Sequence, residues 1–317
     1  MNNRYSARFS TDLRPPVQRF DFPFHAMGTR CELRLYAATA AKANACAAAV
    51  QADVERLEAK YSRYRASSEL SAINRVAAAG GTVHVDDETA TLLDYATTCH
   101  AESEGLFDIS SGILRRAWDF KSGRLPDPAQ LQSLLARTGW QHVDWQRPRL
   151  GFPLAGMELD LGGVVKEYAA DRAASLCQQQ GVGHALINLG GDLRFVGGQP
   201  DGSAWQVGIS DPARPEAALA SVAQRGGGLA SSGDYQRCMV IDGVRYGHIL
   251  NPRSGWPVQG LVAVSVVADF CVVAGSAATI AMLKGEAGKA WLDSLGLPHL
   301  WVDQAGRRGG PLLASPP

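Results

Sequence analysis

The sequence lacks an excess of charge of either sign, since its 317 residues carry 31 Lys and Arg against 31 Asp and Glu. A net charge of zero removes the electrostatic basis for binding nucleic acid or for a basic membrane-surface protein. Lysine is also scarce, with only six among the 31 cations. An anionic ligand must therefore be bound by local groups, and Lys166, in a glycine-rich segment, is a candidate to bind it.

Cysteines at metal-binding spacing are also missing. The six cysteines are scattered, with no Cys-x-x-Cys pair and no cluster of His and Cys at zinc spacing. We expect most of them to be buried, reduced side chains, as in a protein of a reducing compartment.

The first 22 residues are polar and rich in arginine, and they lack the apolar run of a secretory signal. We therefore expect a cytoplasmic protein, or a periplasmic one if a leader precedes the given sequence. Residues 260–283 carry a single charge, Asp269, and are long enough to span a bilayer. Their first half is β-branched and their second half consists of small residues, which favours a buried strand and helix over a membrane span.

Strand and helix patterns are mixed along the chain. Residues 30–36 alternate as in a strand, a helix with apolar residues at spacings of three and four follows, and another amphipathic helix is predicted over 88–103. Asp242-Gly243 is typical of a tight hairpin turn. Because several strands are joined as hairpins, the pattern predicts an α+β protein with antiparallel sheets.

Three turns of glycine and other small residues also contain an acidic residue, at 160–163, 188–192 and 231–235. The first precedes a helix that carries Lys166, an arrangement that presents free N–H groups and a cation to a phosphate. Neither a Walker pattern nor a Gly-x-Gly-x-x-Gly pattern is present. These turns are therefore compatible both with ligand binding and with a purely structural role.

His248 stands at the end of a predicted strand, before Asn251-Pro252, where side chains become accessible. A histidine side chain titrates near pH 6.5, which suits a general base at neutral pH. A structural role for this lone histidine remains the alternative.

Seven motifs occur in a specific order and spacing. They are Ala26-Met27-Gly28-Thr29; Tyr64 with Ser68-Glu69-Leu70-Ser71 and Asn74; Phe107-Asp108-Ile109-Ser110-Ser111-Gly112; Asp160-Leu161-Gly162-Gly163 with Lys166, Tyr168 and Asp171; Asn188-Leu189-Gly190-Gly191-Asp192; Ser232-Gly233-Asp234-Tyr235; and the segment from His248 to Gly255. Together they resemble the FAD:protein FMN transferase (ApbE) family over roughly residues 24 to 296.

The resemblance implies an α+β fold of two T-fold-like halves, with antiparallel sheets, packed helices and a ligand cleft between the halves. It makes 1–23 an N-terminal extension, 24–305 a single flavin transferase domain with duplicated halves, and 306–317 a flexible tail. The implied activity is the Mg²⁺-dependent transfer of FMN from FAD to a Thr or Ser hydroxyl of a partner flavoprotein. The alternatives are a non-catalytic FAD-binding protein with a decayed metal site and a pyrophosphatase that converts FAD to FMN and AMP.

Matching the motifs position by position also assigns site residues. The implied FAD contacts are Met27, Tyr64, Leu106, Phe107, Asp108, Asp160, Lys166 and Ile249. The implied metal ligands are the backbone carbonyl of Gly163 and the side chain of Thr279, and His248 corresponds to the base that deprotonates the acceptor hydroxyl.

Two positions depart from the family pattern, and both lose a negative charge. The family carries a metal-binding Asp four residues before the Thr, where this sequence has Gly275. Its His-x-x-Asp-Pro motif has Asn251 at the Asp position here. Because Mg²⁺ in proteins relies on one or two carboxylates, we expect weakened metal binding unless Asp234 or Asp269 compensates.

Overall fold

The computed structural model describes residues 16–234 and 238–314. Its main element is an eight-stranded sheet in which every neighbouring pair is antiparallel. From one edge to the other, its strands are β1 (Gln18–Ala26), β2 (Thr29–Ala37), β6 (Ala185–Leu189), β7 (Asp192–Val196), β10 (Gly227–Gly233), β13 (Leu261–Ala268), β14 (His299–Asp303) and β15 (Arg308–Gly309).

Smaller sheets and the helices surround this sheet. The smaller sheets are formed by β3 (Thr82–His84), β5 (Arg149–Gly151) and β4 (Asp144–Gln146), by β8 (Trp205–Asp211) and β9 (Arg214–Gln224), and by β11 (Cys238–Ile241) and β12 (Val244–Gly247). The α-helices are α1 (Ala40–Tyr61), α2 (Glu69–Ala79), α3 (Asp87–Glu102), α4 (Pro128–Leu135), α5 (Val165–Gln179), α6 (Cys271–Lys284) and α7 (Ala287–Leu295). Short 3₁₀ helices lie at Ser111–Arg116, Trp140–His142 and Pro311–Ala314.

Apolar side chains cover both faces of the large sheet. Because side chains alternate along a strand, Ile187 of β6 enters the main core, to which α1, α5 and α6 contribute buried residues, and Leu186 enters a second core on the other face. This second core contains Trp205 and Val222 of the β8–β9 hairpin. The sheet is therefore buried between helices on one side and a hairpin on the other.

The predicted α+β class with antiparallel sheets is confirmed. The apolar segment 260–283 forms β13 and α6, as expected for a buried strand followed by a helix. No helix in the described part of the chain is long and apolar enough to cross a membrane. The strands before and after the β8–β9 hairpin belong to one continuous sheet, because β7 pairs directly with β10.

The sheet extends beyond both domain boundaries predicted from the sequence. β1 begins at Gln18 rather than at residue 24, because the alternating Phe20, Phe22 and Phe24 pack against the main core. Pro23 is tolerated there because β1 is an edge strand. At the other end, β15 pairs with β14, and Leu312 is buried in the second core, so this part of the predicted tail is packed.

The start of α6 is held by a carboxylate from α5. Both oxygens of Asp171 accept hydrogen bonds from the first two backbone N–H groups of the helix, those of Cys271 and Val272, at 2.9 Å each. The Asp171 carboxylate also pairs with Arg194 at 2.7 Å. Such contacts stabilise a helix N-terminus and fix the position of α6 relative to α5.

Candidate active site

The sequence-predicted site residues converge on one cleft of about 1110 Å³. The cleft is lined by the β1–β2 turn, the segment before α2, the turn before α5, the β6–β7 turn, β10, the segment after β12 and α6. All eleven predicted residues line it: Met27, Tyr64, Leu106, Phe107, Asp108, Asp160, Gly163, Lys166, His248, Ile249 and Thr279. Their contacts with a ligand remain predictions.

Met27 occupies a strained turn at the edge of the cleft. It has φ of 52° and the following Gly28 has φ of 70°, so the β1–β2 turn places two successive residues in the left-handed region. A non-glycine residue costs of order 1–3 kcal/mol in such a conformation, and residues of this kind cluster at functional sites. The backbone therefore adopts an energetically unfavourable conformation where it places the Met27 side chain at the cleft.

The glycine turn before α5 brings Asp160 and Lys166 to the cleft. Asp160 accepts a hydrogen bond from the backbone N–H of Gly162 at 2.9 Å and pairs with Arg63. The N-cap residue of α5 is Val164, whose side chain makes no capping hydrogen bond to the helix N-terminus beside Lys166. The turn can therefore present backbone donors and a lysine to an anion, which is one of the two roles that the sequence left open.

Lys166, which lines the cleft, is paired with a buried acid. Its Nζ lies 2.5 Å from Oδ2 of Asp192, the residue that follows the β6–β7 turn. Burial alone would lower the pKa of the Lys166 ammonium, but the carboxylates of Asp192 and Glu167 together raise it. Lys166 is therefore a cation at neutral pH and can contribute positive charge to the site.

Glu167 is a cleft residue that the sequence reasoning missed. The residue is only 8% exposed, and its Oε2 has no hydrogen-bond partner in the described part of the chain. Burial and the nearby Asp192 carboxylate raise the pKa of Glu167. A signal was present in the sequence, since Glu167 shares one helix face with the buried Ala170 and Ala174, where an acid is unusual.

Asp108 and Tyr64 differ in how they can meet a ligand. The Asp108 carboxylate accepts hydrogen bonds from the backbone N–H and hydroxyl of Ser110 and from the backbone N–H of Trp140, at 2.7–2.9 Å. The side chain of Asp108 thus links Ser110 to Trp140, and much of its capacity to accept hydrogen bonds is already used.

Tyr64 is 81% exposed at the cleft, with the Arg63 guanidinium 4.9 Å from its ring centre.

His248 follows the β11–β12 hairpin and is exposed at the cleft. As predicted, Asp242 and Gly243 form the hairpin turn, with φ of 50° and 79°. Beyond His248, the Oδ1 of Asn251 accepts the backbone N–H of Arg253 at 2.8 Å. The side chain of Asn251 therefore has the same acceptor oxygen that an aspartate would offer, and this oxygen accepts the hydrogen bond that stabilises the turn.

Neither acid suggested from the sequence replaces the carboxylate missing at Gly275. Asp234 is buried and pairs with Arg245 at 3.0 Å, and Asp269 is exposed at the junction of β13 and α6. Neither of them lines the cleft. That suggestion was wrong because the chain directs Asp234 toward β12 and Asp269 toward solvent. Tyr235, in the same motif as Asp234, lies outside the described residues.

The atoms near α6 that could bind a metal ion are oxygens. Gly275 and Thr279 lie one turn apart on α6 and thus on one face, and the Thr279 hydroxyl donates to Oγ of Ser232 at 3.4 Å. Within 16–234 and 238–314, no group of three or more His, Cys, Asp or Glu side chains is arranged to hold a metal. A magnesium site of few protein ligands, completed by phosphate oxygens and water, does not require such a group.

A lysine, glycine turns and an uncapped helix at one cleft of an α+β protein are typical of a site for a phosphorylated ligand. The sequence model of the ApbE family matches residues 27–301. The chain belongs to the ApbE family, as its motifs predicted.

Relatives with assigned names agree with this membership. An FAD:protein FMN transferase of Vibrio cholerae is 29% identical over 78% of this chain and 76% of its own length. One from Klebsiella pneumoniae is 34% identical over 76% of this chain and 75% of its own. The names of both relatives agree with the transferase class predicted from the sequence.

Solved structures show the same fold. The ApbE protein of Thermotoga maritima matches with a TM-score of 0.82 and 28% identity, covering 92% of this chain and 97% of its own. The flavin transferase ApbE of Vibrio cholerae matches with a TM-score of 0.81 and 26% identity, covering 94% and 98%. The α+β architecture is therefore that of known ApbE proteins.

Proposed function

We propose that this chain transfers the FMN half of FAD to a Thr or Ser hydroxyl of a partner flavoprotein, with Mg²⁺ bound at the pyrophosphate. The observation that carries the proposal is the convergence of Lys166, the glycine turn at 160–163 and His248 on one cleft. Family membership supports the substrate assignment, since the relatives named above are FAD:protein FMN transferases.

In the proposed reaction, the chain binds FAD with its pyrophosphate at the α5 N-terminus. Lys166 and the backbone N–H groups of the turn stabilise negative charge on the phosphates. His248 takes the proton of the acceptor hydroxyl as its oxygen attacks the FMN phosphorus. The pyrophosphate P–O bond then breaks, FMN becomes esterified to the acceptor, and AMP leaves.

The residues present fit a magnesium ion. The Gly163 carbonyl and the Thr279 hydroxyl are hard oxygen donors at the cleft, and an unpartnered carboxylate oxygen of Glu167 lies at the same cleft. Magnesium in proteins takes such donors together with phosphate oxygens. When bound, it would neutralise charge that develops on the phosphates.

The exposure of His248 suits a protein acceptor. A base that serves a hydroxyl on another protein must be reachable from outside, and His248 is exposed at the cleft. The bound FAD would extend along the cleft toward Met27 and Tyr64. The acceptor loop would then approach from the side of the β11–β12 hairpin.

The experiment incubates the purified protein with FAD, MgCl₂ and an acceptor flavoprotein domain and measures the acceptor mass. The expected result is an acceptor heavier by one FMN. His248→Ala should keep FAD binding and slow transfer by about 10²–10⁴-fold, as expected for loss of a general base. His84→Ala, an exposed histidine outside the cleft, is the matched control and should transfer normally.

Two results would contradict the proposal. Release of FMN and AMP without an acceptor adduct would identify a pyrophosphatase. Bound FAD with neither adduct nor hydrolysis, over the whole range of MgCl₂ concentration, would identify a non-catalytic FAD-binding protein. Normal FMN transfer by His248→Ala would show that His248 is not the general base.

A further inference from the structure

Glu167 of α5 occupies the space of a side chain at position 275 of α6. A Cβ atom on Gly275 would lie 2.6 Å from Cγ of Glu167 and 3.1 Å from its Cδ and Oε1. Real Cβ atoms do not approach other atoms as closely as 2.6 Å. The absence of a side chain at 275 is therefore what admits the carboxylate of Glu167.

The carboxyl group of Glu167 is buried beside a second acid, Asp192. Two carboxylates, those of Glu167 and Asp192, lie close enough to influence each other, and Lys166 pairs with Asp192. The Oε2 of Glu167 is buried and accepts no hydrogen bond from any residue within 16–234 and 238–314. An ionised carboxylate so placed is costly unless a cation joins it.

Position 275 is also where the resemblance in sequence led us to expect a metal-binding carboxylate. Glu167 lines the cleft together with Gly163 and Thr279, whose oxygens are the other expected donors. Thr279 lies one turn beyond Gly275 on the same face of α6. A carboxylate that fills the space above Gly275 thus lies beside the expected metal position.

We propose that Glu167 supplies the carboxylate ligand of the divalent metal in this cleft, in place of a side chain at position 275. The carboxylate would come from α5 rather than from α6, and the absence of a side chain at Gly275 makes room for it. One carboxylate with neutral oxygen donors and phosphate oxygens is a sufficient set for magnesium. This inference rests on the proposed function for its metal and its nucleotide.

The first test measures metal binding directly, with Mn²⁺ as a paramagnetic substitute for Mg²⁺. Free Mn²⁺ is followed by electron paramagnetic resonance while the protein, saturated with FAD, is titrated with MnCl₂. Glu167→Gln keeps the size of the side chain and removes its charge. We expect its dissociation constant for Mn²⁺ to rise roughly tenfold or more, with FAD affinity changed less than about twofold.

Glu158→Gln is the matched control. Glu158 is equally buried, at 5% exposure, but pairs with Arg115 and Arg116 and does not line the cleft. It should lower stability and leave Mn²⁺ affinity unchanged. Unchanged Mn²⁺ affinity in Glu167→Gln would overturn the inference, since Glu167 would then be a structural acid only.

A second test moves the carboxylate back to α6. Glu167→Ala alone should lose Mn²⁺ affinity as Glu167→Gln does, whereas Glu167→Ala combined with Gly275→Asp should recover affinity to within roughly threefold of wild type. Failure of the double variant to bind better than Glu167→Ala, when both are folded by circular dichroism, would overturn the inference.

These outcomes separate the inference from the proposed function. Loss of Mn²⁺ binding in Glu167→Gln supports the inference even if the wild-type protein transfers no FMN, a result that would refute only the transferase. Metal-dependent FMN transfer by the wild type, with full Mn²⁺ affinity in Glu167→Gln, would refute only the role of Glu167. A wild-type protein that binds no Mn²⁺ in the presence of FAD would overturn both the metal dependence and the inference.

Discussion

Replacing Gly275 by alanine should destabilise the protein when residue 167 is glutamate and stabilise it when residue 167 is alanine. In the wild-type background, the new Cβ would lie 2.6 Å from Cγ of Glu167. Overpacking of this kind costs about 1–3 kcal/mol, whereas Gly→Ala in a helix interior gains about 1 kcal/mol. The expected net effect is a loss of about 0–2 kcal/mol in the free energy of unfolding.

In the Glu167→Ala background, Cγ and the carboxylate are absent, so only the helix propensity of alanine remains. Gly275→Ala should then stabilise the protein by about 1 kcal/mol. The difference between the two backgrounds is the coupling energy of the contact, about 1–3 kcal/mol.

The assay is urea denaturation of four proteins at neutral pH: wild type, the two single variants and the double variant. EDTA is present in every sample, so that metal binding does not contribute to stability. If Gly275→Ala changes the free energy of unfolding equally in both backgrounds, Glu167 and position 275 are not in contact. The argument that Glu167 of α5 takes the place of a side chain at position 275 of α6 would then fail.

Three further substitutions test other parts of the structure. Asp171→Ala removes the acceptor at the start of α6 and the carboxylate that pairs with Arg194, so the free energy of unfolding should fall by about 3 kcal/mol or more in urea. A loss below about 1 kcal/mol would contradict this account of the helix start. The hydrogen bond from Arg56 lowers the pKa of Glu88 to about 2, so its stabilising effect is complete above the usual glutamate pKa near 4.5 and is lost as the pH falls toward 2. Glu88→Gln should therefore lose less stability than wild type between pH 5 and 2, and an equal loss would show that this pair does not act in acid unfolding. Tyr64→Ala should change stability by less than about 0.5 kcal/mol, because the side chain is 81% exposed, but should weaken FAD binding roughly two- to tenfold in a flavin fluorescence titration. Unchanged FAD affinity would show that Tyr64 does not contribute to flavin binding.

The sequence predicted those features that depend on neighbours along the chain. The Asp242-Gly243 turn, the strand and helix within 260–283 and the glycine turn before α5 were all recognisable because their conformations depend on local residue preferences. The motif residues were also recognisable, because their order and spacing can be read along the chain.

Contacts between distant segments were not predictable in this way. Asp171 meets the start of α6 100 residues further along the chain, and no pattern around either segment indicated that contact. The pairing of Asp234 with Arg245 likewise removed an acid that the sequence left available. Such contacts depend on how helices and hairpins pack on the sheet, which a single sequence does not show.

The sequence by itself determined the α+β class, the family and eleven of the residues that line the cleft, because these follow from local patterns in a fixed order. It also showed that position 275 lacks a carboxylate. Only the tertiary structure decided where a carboxylate lies instead, since Glu167 reaches the space above Gly275 through the packing of α5 against α6. Positions 167 and 275 are far apart in the chain, but their side chains would occupy the same space in the fold. Because protein interiors are close-packed, that space holds only one of the two side chains.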